Sequence, residues 1–174
     1  NAKTISQSGR ERGIQRLMNI NLLKRMESSV HSFLLTVKRI YDLYHDTLEQ
    51  IKAFQPGEFI SAQDIAGADD FDLDHQNTDV FNVGKKFKVD LRDMDYISWQ
   101  RDLEADLEVL GLLLIMVEDI TPQYDFKLNE LLRIISEKLE APINPDNKKI
   151  LIFTAFSDTA EYLYENVSSY VKKN

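Results

Sequence analysis

The chain has no cysteine, which excludes a disulfide framework and any thiolate metal site and is compatible with a reducing, cytoplasmic setting. It has no apolar stretch of the roughly 20 residues that a membrane span needs. The longest, Val109 to Val117, falls far short, so no membrane partner is expected. No secretory signal is visible in the polar stretch Asn1 to Ser8, and Asn1-Ala2 reads as a tag remnant outside the fold. It has no proline before Pro56, so nothing interrupts helical periodicity up to that point.

What is present describes a globular domain. The 174 residues are 43% hydrophobic and 29% charged, enough apolar material for one core and too much for a disordered chain. The net charge of −8 is unevenly spread: six basic residues against one acidic give Asn1 to Arg25 a charge of +5 and leave −13 on the remainder. An acidic body repels nucleic-acid phosphates, so any such contact must be local, through a basic end or edge.

From Ile14 to Ile51 apolar residues recur in steps of three and four, among them Leu17, Met18, Met26, Val30, Phe33, Val37, Tyr41, Tyr44 and Leu48. The spacing predicts one long helix, or two nearly continuous ones, ending near Phe54 ahead of Pro56-Gly57. A continuous helix of that size would run on the order of 60 Å, and its apolar stripe would need other helices to cover it. Ser61 to Asn82 carries six aspartates without regular apolar spacing and reads as a loop. Gly84 to Leu91 alternates, with Phe87, Val89 and Leu91 on one side, and predicts a short strand or extended edge.

A second long helix is expected from Met94 to Asp119, with Trp99, Leu103, Leu107, Leu110, Leu114 and Val117 as its stripe. Its middle is apolar all round, which argues for a central place in a bundle. Gly111 costs roughly 1 kcal/mol there relative to Ala, and a tight helix crossing would explain it. Thr121-Pro122 suits the N-cap and first turn of a third helix, to about Glu140. Pro142 to Asn147 is a linker. Lys149 to Phe156 (KILIFTAF) is then a compact apolar run, expected to be a strand, and Asp158 with Glu161 forms a capping-box-like start to a last helix. A strand apolar on both faces normally lies inside a covered parallel sheet. The fold class expected is mainly α, with long antiparallel helices in a bundle and a C-terminal strand–helix that begins an α/β lobe.

Lys148 to Val167 (KKILIFTAFSDTAEYLYENV) resembles the start of the second RecA-like lobe of Swi/Snf-type superfamily-two ATPases, the region called motif IV. Phe153, Thr154, Phe156, Asp158 and Thr159 match its pattern, and Ala155 stands where many relatives carry a polar residue. Asn21 to Phe33 (NLLKRMESSVHSF) resembles the helix between the two lobes in the bacterial RapA-like branch, and Asp93 to Leu110 the helical insertion that follows it. The resemblance implies residues 1–143 as an interlobe helical region and residues 144–174 as the opening of the second lobe. It implies a fragment of an ATP-dependent DNA helicase or translocase, itself non-catalytic, acting as a helical strut. The partners implied are the remaining lobes and double-stranded DNA; ATP and magnesium belong to the parent. The sequence has no G-x-x-x-x-G-K-[ST] loop, since Gly84-Lys85 continues as Lys86-Phe87. The alternative from another class is a stand-alone helical adaptor that binds protein.

Several residues invite chemistry and each has a plainer reading. Asp70, Asp72 and Asp74 have the spacing of a calcium loop, but His75 and Phe81 stand where its glycine and glutamate belong, which leaves a solvated acidic loop. Glu104 and Glu108 share a helix side beside Arg101, and Asp106 does not, so they read as a charged surface rather than a catalytic pair. His31 and His45 lack the further ligands zinc would need, and Ser28-Ser29 sits in no nucleophile elbow. Arg10, Arg12, Arg16, Lys24 and Arg25 are the candidate nucleic-acid contacts: solvated surface in the plain reading, phosphate binding or lobe docking in the functional one. Lys85, Lys86 and Lys88 are a weaker version. The run Ile150 to Thr154, as an unpaired strand, offers a template for self-association.

Overall fold

A computed structural model describes residues 7–53, 95–145 and 147–173, with the side chains of residues 7–11 left aside. The acidic loop, the Gly84 to Leu91 extended edge and the Asp70 group lie outside these residues. The described residues are mainly α-helical: α1 (Gln7–Ser28), α2 (Val30–Ala53), α3 (Tyr96–Glu118), α4 (Phe126–Glu140) and α5 (Ser157–Lys173). None of the described helices is long and apolar enough to cross a membrane.

The first predicted helix is two, broken at Ser29. The Ser29 hydroxyl accepts the Ser32 backbone N–H at 3.0 Å and so acts as an N-cap for α2. The ladder nevertheless carries across the break, with Ser29 N–H donating to Arg25 O at 3.0 Å.

The chain divides into two compact units, Leu35–Ile115 and the pair of segments Asn1–Leu34 with Met116–Asn174. In the first, Leu48 and Ile51 of α2 pack on Leu103 of α3, with Tyr44, Tyr96, Trp99 and Leu107 against them. Lys52 meets Glu104 at 3.6 Å, while Tyr41 approaches Gly111. Residue numbers rise along one helix as they fall along the other, so α2 and α3 are antiparallel here. A Cβ at Gly111 would lie 3.7 Å from the Tyr41 ring, an ordinary contact, so Gly111 does not mark the tight crossing expected of it. Nor is the middle of α3 enclosed: Val109, Leu112 and Ile115 are 66%, 65% and 63% exposed. Only the Trp99–Leu103–Leu107 side of α3 is engaged, so the all-round apolar character does not put the helix at the centre.

In the other unit α4 and α5 pack together. Thr121-Pro122 does not start α4. It opens a turn, with Tyr124 and Asp125 N–H groups donating to Thr121 O at 2.8 and 3.0 Å. Asp125 is the N-cap, its side chain accepting from the Lys127 and Leu128 amides. A carboxylate can satisfy two orphan donors at once, and Pro122 suits the preceding turn.

The C-terminal strand is not found. Residues 147–154 are irregular, and Leu151, Ile152 and Phe153 are 83%, 42% and 90% exposed. A strand exists by pairing, and no described segment runs beside this one to complete a ladder. The helix half of the expected strand–helix does form, as α5. Asp158 lies in its first turn, but its carboxylate is directed elsewhere.

Candidate functional site

Two of the three segments that carry the family resemblance, Asn21 to Phe33 and Lys148 to Val167, meet in one buried polar cluster within the second unit, whereas Asp93 to Leu110 belongs to the other. Arg25, near the end of α1, is 2% exposed. Its Nη1 donates to Asp158 Oδ2 at 2.6 Å and to Ser32 Oγ at 3.0 Å. Its guanidinium carbon lies 4.7 Å from the centroid of the Phe156 ring, a cation–π contact strengthened by exclusion of water. The ion pair spans 133 positions of sequence.

Hydroxyls continue the cluster. Thr159 Oγ1 shares hydrogen bonds with Ser28 Oγ at 2.8 Å and Ser29 Oγ at 2.9 Å, and Ser28 Oγ reaches Thr154 Oγ1 at 3.3 Å. Ser29 therefore serves twice, as cap of α2 and as partner of α5. Thr154 Oγ1 also accepts the Phe156 N–H at 3.4 Å, folding the approach to α5. Arg25 Nε is buried without a hydrogen-bond partner, so the cation is held on one side by the charge pair and on another by the aromatic face.

A second polar knot lies beside it. Asp125 Oδ1 takes the Lys127 and Leu128 amides at 2.9 and 3.1 Å, and Asp125 Oδ2 accepts from Tyr162 Oη at 3.0 Å. Burial, followed by the hydrogen bond to Asp125, pushes the Tyr162 phenol well above its ordinary ionisation range. Lys127 Nζ donates to the Glu27 carbonyl and so caps the last turn of α1.

Among the motif IV-like residues, Thr154, Phe156, Asp158 and Thr159 join the cluster, whereas Phe153 is 90% exposed and does not. Among the candidate nucleic-acid contacts, Arg12, Arg16 and Lys24 are exposed on α1 and Arg10 belongs to the same helix. Arg25 is placed differently from the surface role expected of it, because its guanidinium is enclosed and committed to Asp158. The sequence carried little signal for this: α1 has no clear apolar stripe, and it is the structure that sets Arg25 in line with the half-buried Ile14, Met18 and Leu22.

The remaining singled-out residues take plain places. Glu104 pairs with Lys52 and accepts from Gln100 at 3.2 Å. His45 lies 3.7 Å from Asp46 on an exposed stretch. His31 stacks on Tyr162. Among the described residues no three histidine or carboxylate side chains converge to hold a metal ion. Comparison of the chain with protein-family models, with curated proteins and with solved structures found no match.

Proposed function

We propose that the chain is the helical region between the motor lobes of a bacterial Swi/Snf-type DNA helicase or translocase, with the residues from about Lys148 opening the second lobe. What supports the reading is the buried cluster. The interlobe-like helix residues Arg25, Ser28 and Ser29 and the motif IV-like residues Asp158 and Thr159 are mutual partners, as two parts of one working unit would be.

The role is mechanical. Helix α1 and the first turn of α2 carry the side chains that hold α5, so a displacement of α5 is passed to the α1–α2 break at Ser29. The exposed, basic side of α1 with Arg12, Arg16 and Lys24 is where a duplex backbone would touch, through phosphate contacts that carry no sequence information. The chain's residues do not fit ATP and magnesium: no phosphate-cradling loop occurs in the sequence. Nucleotide chemistry is therefore assigned to the lobes and not to this region. The apolar run Ile150 to Phe153, with no backbone hydrogen bond to any described residue, suits addition to strands of the second lobe. The same run gives the isolated chain a route to self-association.

The test is DNA-stimulated ATP hydrolysis and translocation by the full gene product, intact, with Ser61 to Glu140 deleted, and with Thr159→Ala, which releases α5 from Ser28 and Ser29. The strut expects hydrolysis to persist and translocation to be lost in both variants. Full ATP-coupled translocation in either would sink it. A gene whose flanks encode no ATP-binding lobe would favour the stand-alone adaptor, a reading to which the exposed Val109 and Leu112 on α3 lend an attachment surface.

A further inference from the structure

Tyr162 also lines an open cleft of about 530 Å³, within the range of ligand-sized sites. Its lining comes from the first turns of α2, the turn after α3 and the middle of α5. Val30, Leu34, Ile120 and Pro122 give it apolar walls. His31 and Tyr162 form a parallel stack within it, ring centroids 4.8 Å apart and planes 8° apart. Thr121, Asn166 and Ser169 add neutral polar groups, and Glu118 and Glu165, both exposed, supply the charge of the lining. Neither carboxylate is in an ion pair, and neither His31 nitrogen is in a hydrogen bond, among the described residues.

We infer that this cleft recognises an arginine side chain presented by a partner protein. Two carboxylates and no basic residue in the lining repel an anion. A purely apolar occupant would strip water from both carboxylates and return nothing. A cation on an apolar stem satisfies walls and carboxylates together. Arginine fits better than lysine for two reasons. Its planar guanidinium can extend the His31–Tyr162 stack, and its fork of donors suits carboxylate acceptors, whereas an ammonium is a compact and strongly hydrated point charge. The inference is independent of the motor reading, since it uses none of the residues in the Arg25 cluster.

The probe is the tripeptide acetyl-Gly-Arg-Gly-amide, titrated into the chain and followed by NMR on the His31 and Tyr162 ring protons. Its citrulline counterpart, of the same shape without the charge, is titrated in parallel. Saturable shifts of both rings are expected with the arginine peptide, and affinity roughly tenfold lower or worse with citrulline, the loss that follows removal of charge-assisted hydrogen bonds. Glu118→Gln and Glu165→Gln should each weaken the arginine peptide by about threefold or more. Both positions are exposed, and far-UV circular dichroism checks that the helices persist. Equal binding of the two peptides, absence of saturable ring shifts, or unchanged affinity in both variants would overturn the inference. The peptide comparison uses the unaltered chain and does not depend on how the variants fold.

Discussion

Removing either partner of the Arg25–Asp158 pair should strand the other in a largely buried place. Arg25 is 2% exposed and Asp158 15%, so screening is weak for the first and modest for the second. Breaking such a pair from one side costs about 3–5 kcal/mol, because an uncompensated charge stays buried. Arg25→Ala also loses the Ser32 bond and the Phe156 contact, so it belongs at the upper end. Asp158→Ala belongs at the lower end, since the guanidinium keeps Ser32 and Phe156. The double variant should fall short of the sum by about 1–3 kcal/mol, the coupling typical of residues in direct contact. Urea unfolding of the four proteins, followed by far-UV circular dichroism, closes the cycle. Asp158→Asn, which keeps the shape and loses the charge, extends the measurement if a single alanine variant does not fold. Should Asp158→Ala cost less than about 1 kcal/mol, the figure for an exposed pair, Arg25 is reaching water and the buried cluster is wrong.

Gly111→Ala should stabilise the protein by about 1 kcal/mol, the helix-interior penalty of glycine, because the added methyl meets only the Tyr41 ring at 3.7 Å. Calorimetry should show the melting temperature rise by about 2–4 °C, and a fall would mean that the crossing is tighter than described. Tyr162 predicts an alkaline loss of stability. Its phenol is held above the ordinary 10.0, so near that pH the unfolded chain releases the proton while the fold retains it. The contribution is complete below about pH 10 and declines as pH rises beyond it. Tyr162→Phe should be less stable at neutral pH but lose less on going alkaline; parallel pH profiles for the two proteins would contradict the assignment.

Periodicity made the helices legible. Apolar steps of three and four placed α3 within two residues of its observed ends, and the alternative of two nearly continuous helices anticipated α1 and α2. The break itself was less visible, because Ser29 interrupts no apolar rhythm and caps only through its hydroxyl. At the start of α4, Thr121 and Asp125 are both good caps, and local sequence does not rank them; Tyr162, far along the chain, completes the environment of Asp125. The apolar run KILIFTAF was expected to be a strand and is irregular, with Leu151 and Phe153 exposed. Composition reports that a segment is apolar and β-branched, whereas a strand requires a neighbour to pair with.

The same distinction explains Arg25. From sequence a basic residue near a basic helix end is a surface charge, and α1 has no marked apolar stripe to say otherwise. Its partner lies 133 positions away, beyond the reach of any local rule. A buried ion pair is a weak source of net stability, since two apolar residues of similar volume often hold as well. What the pair adds is alignment. Apolar side chains tolerate a slip of α5 along α1, but the Arg25 fork meets Asp158 while Thr159 meets Ser28 and Ser29 in only one register. The mutational cycle bears on this directly. If the double variant retains most of the stability yet loses a single set of sharp amide resonances, the cluster acts to fix register. If stability and uniqueness fall together, the cluster is an ordinary part of the core and the mechanical role proposed for it has no basis there.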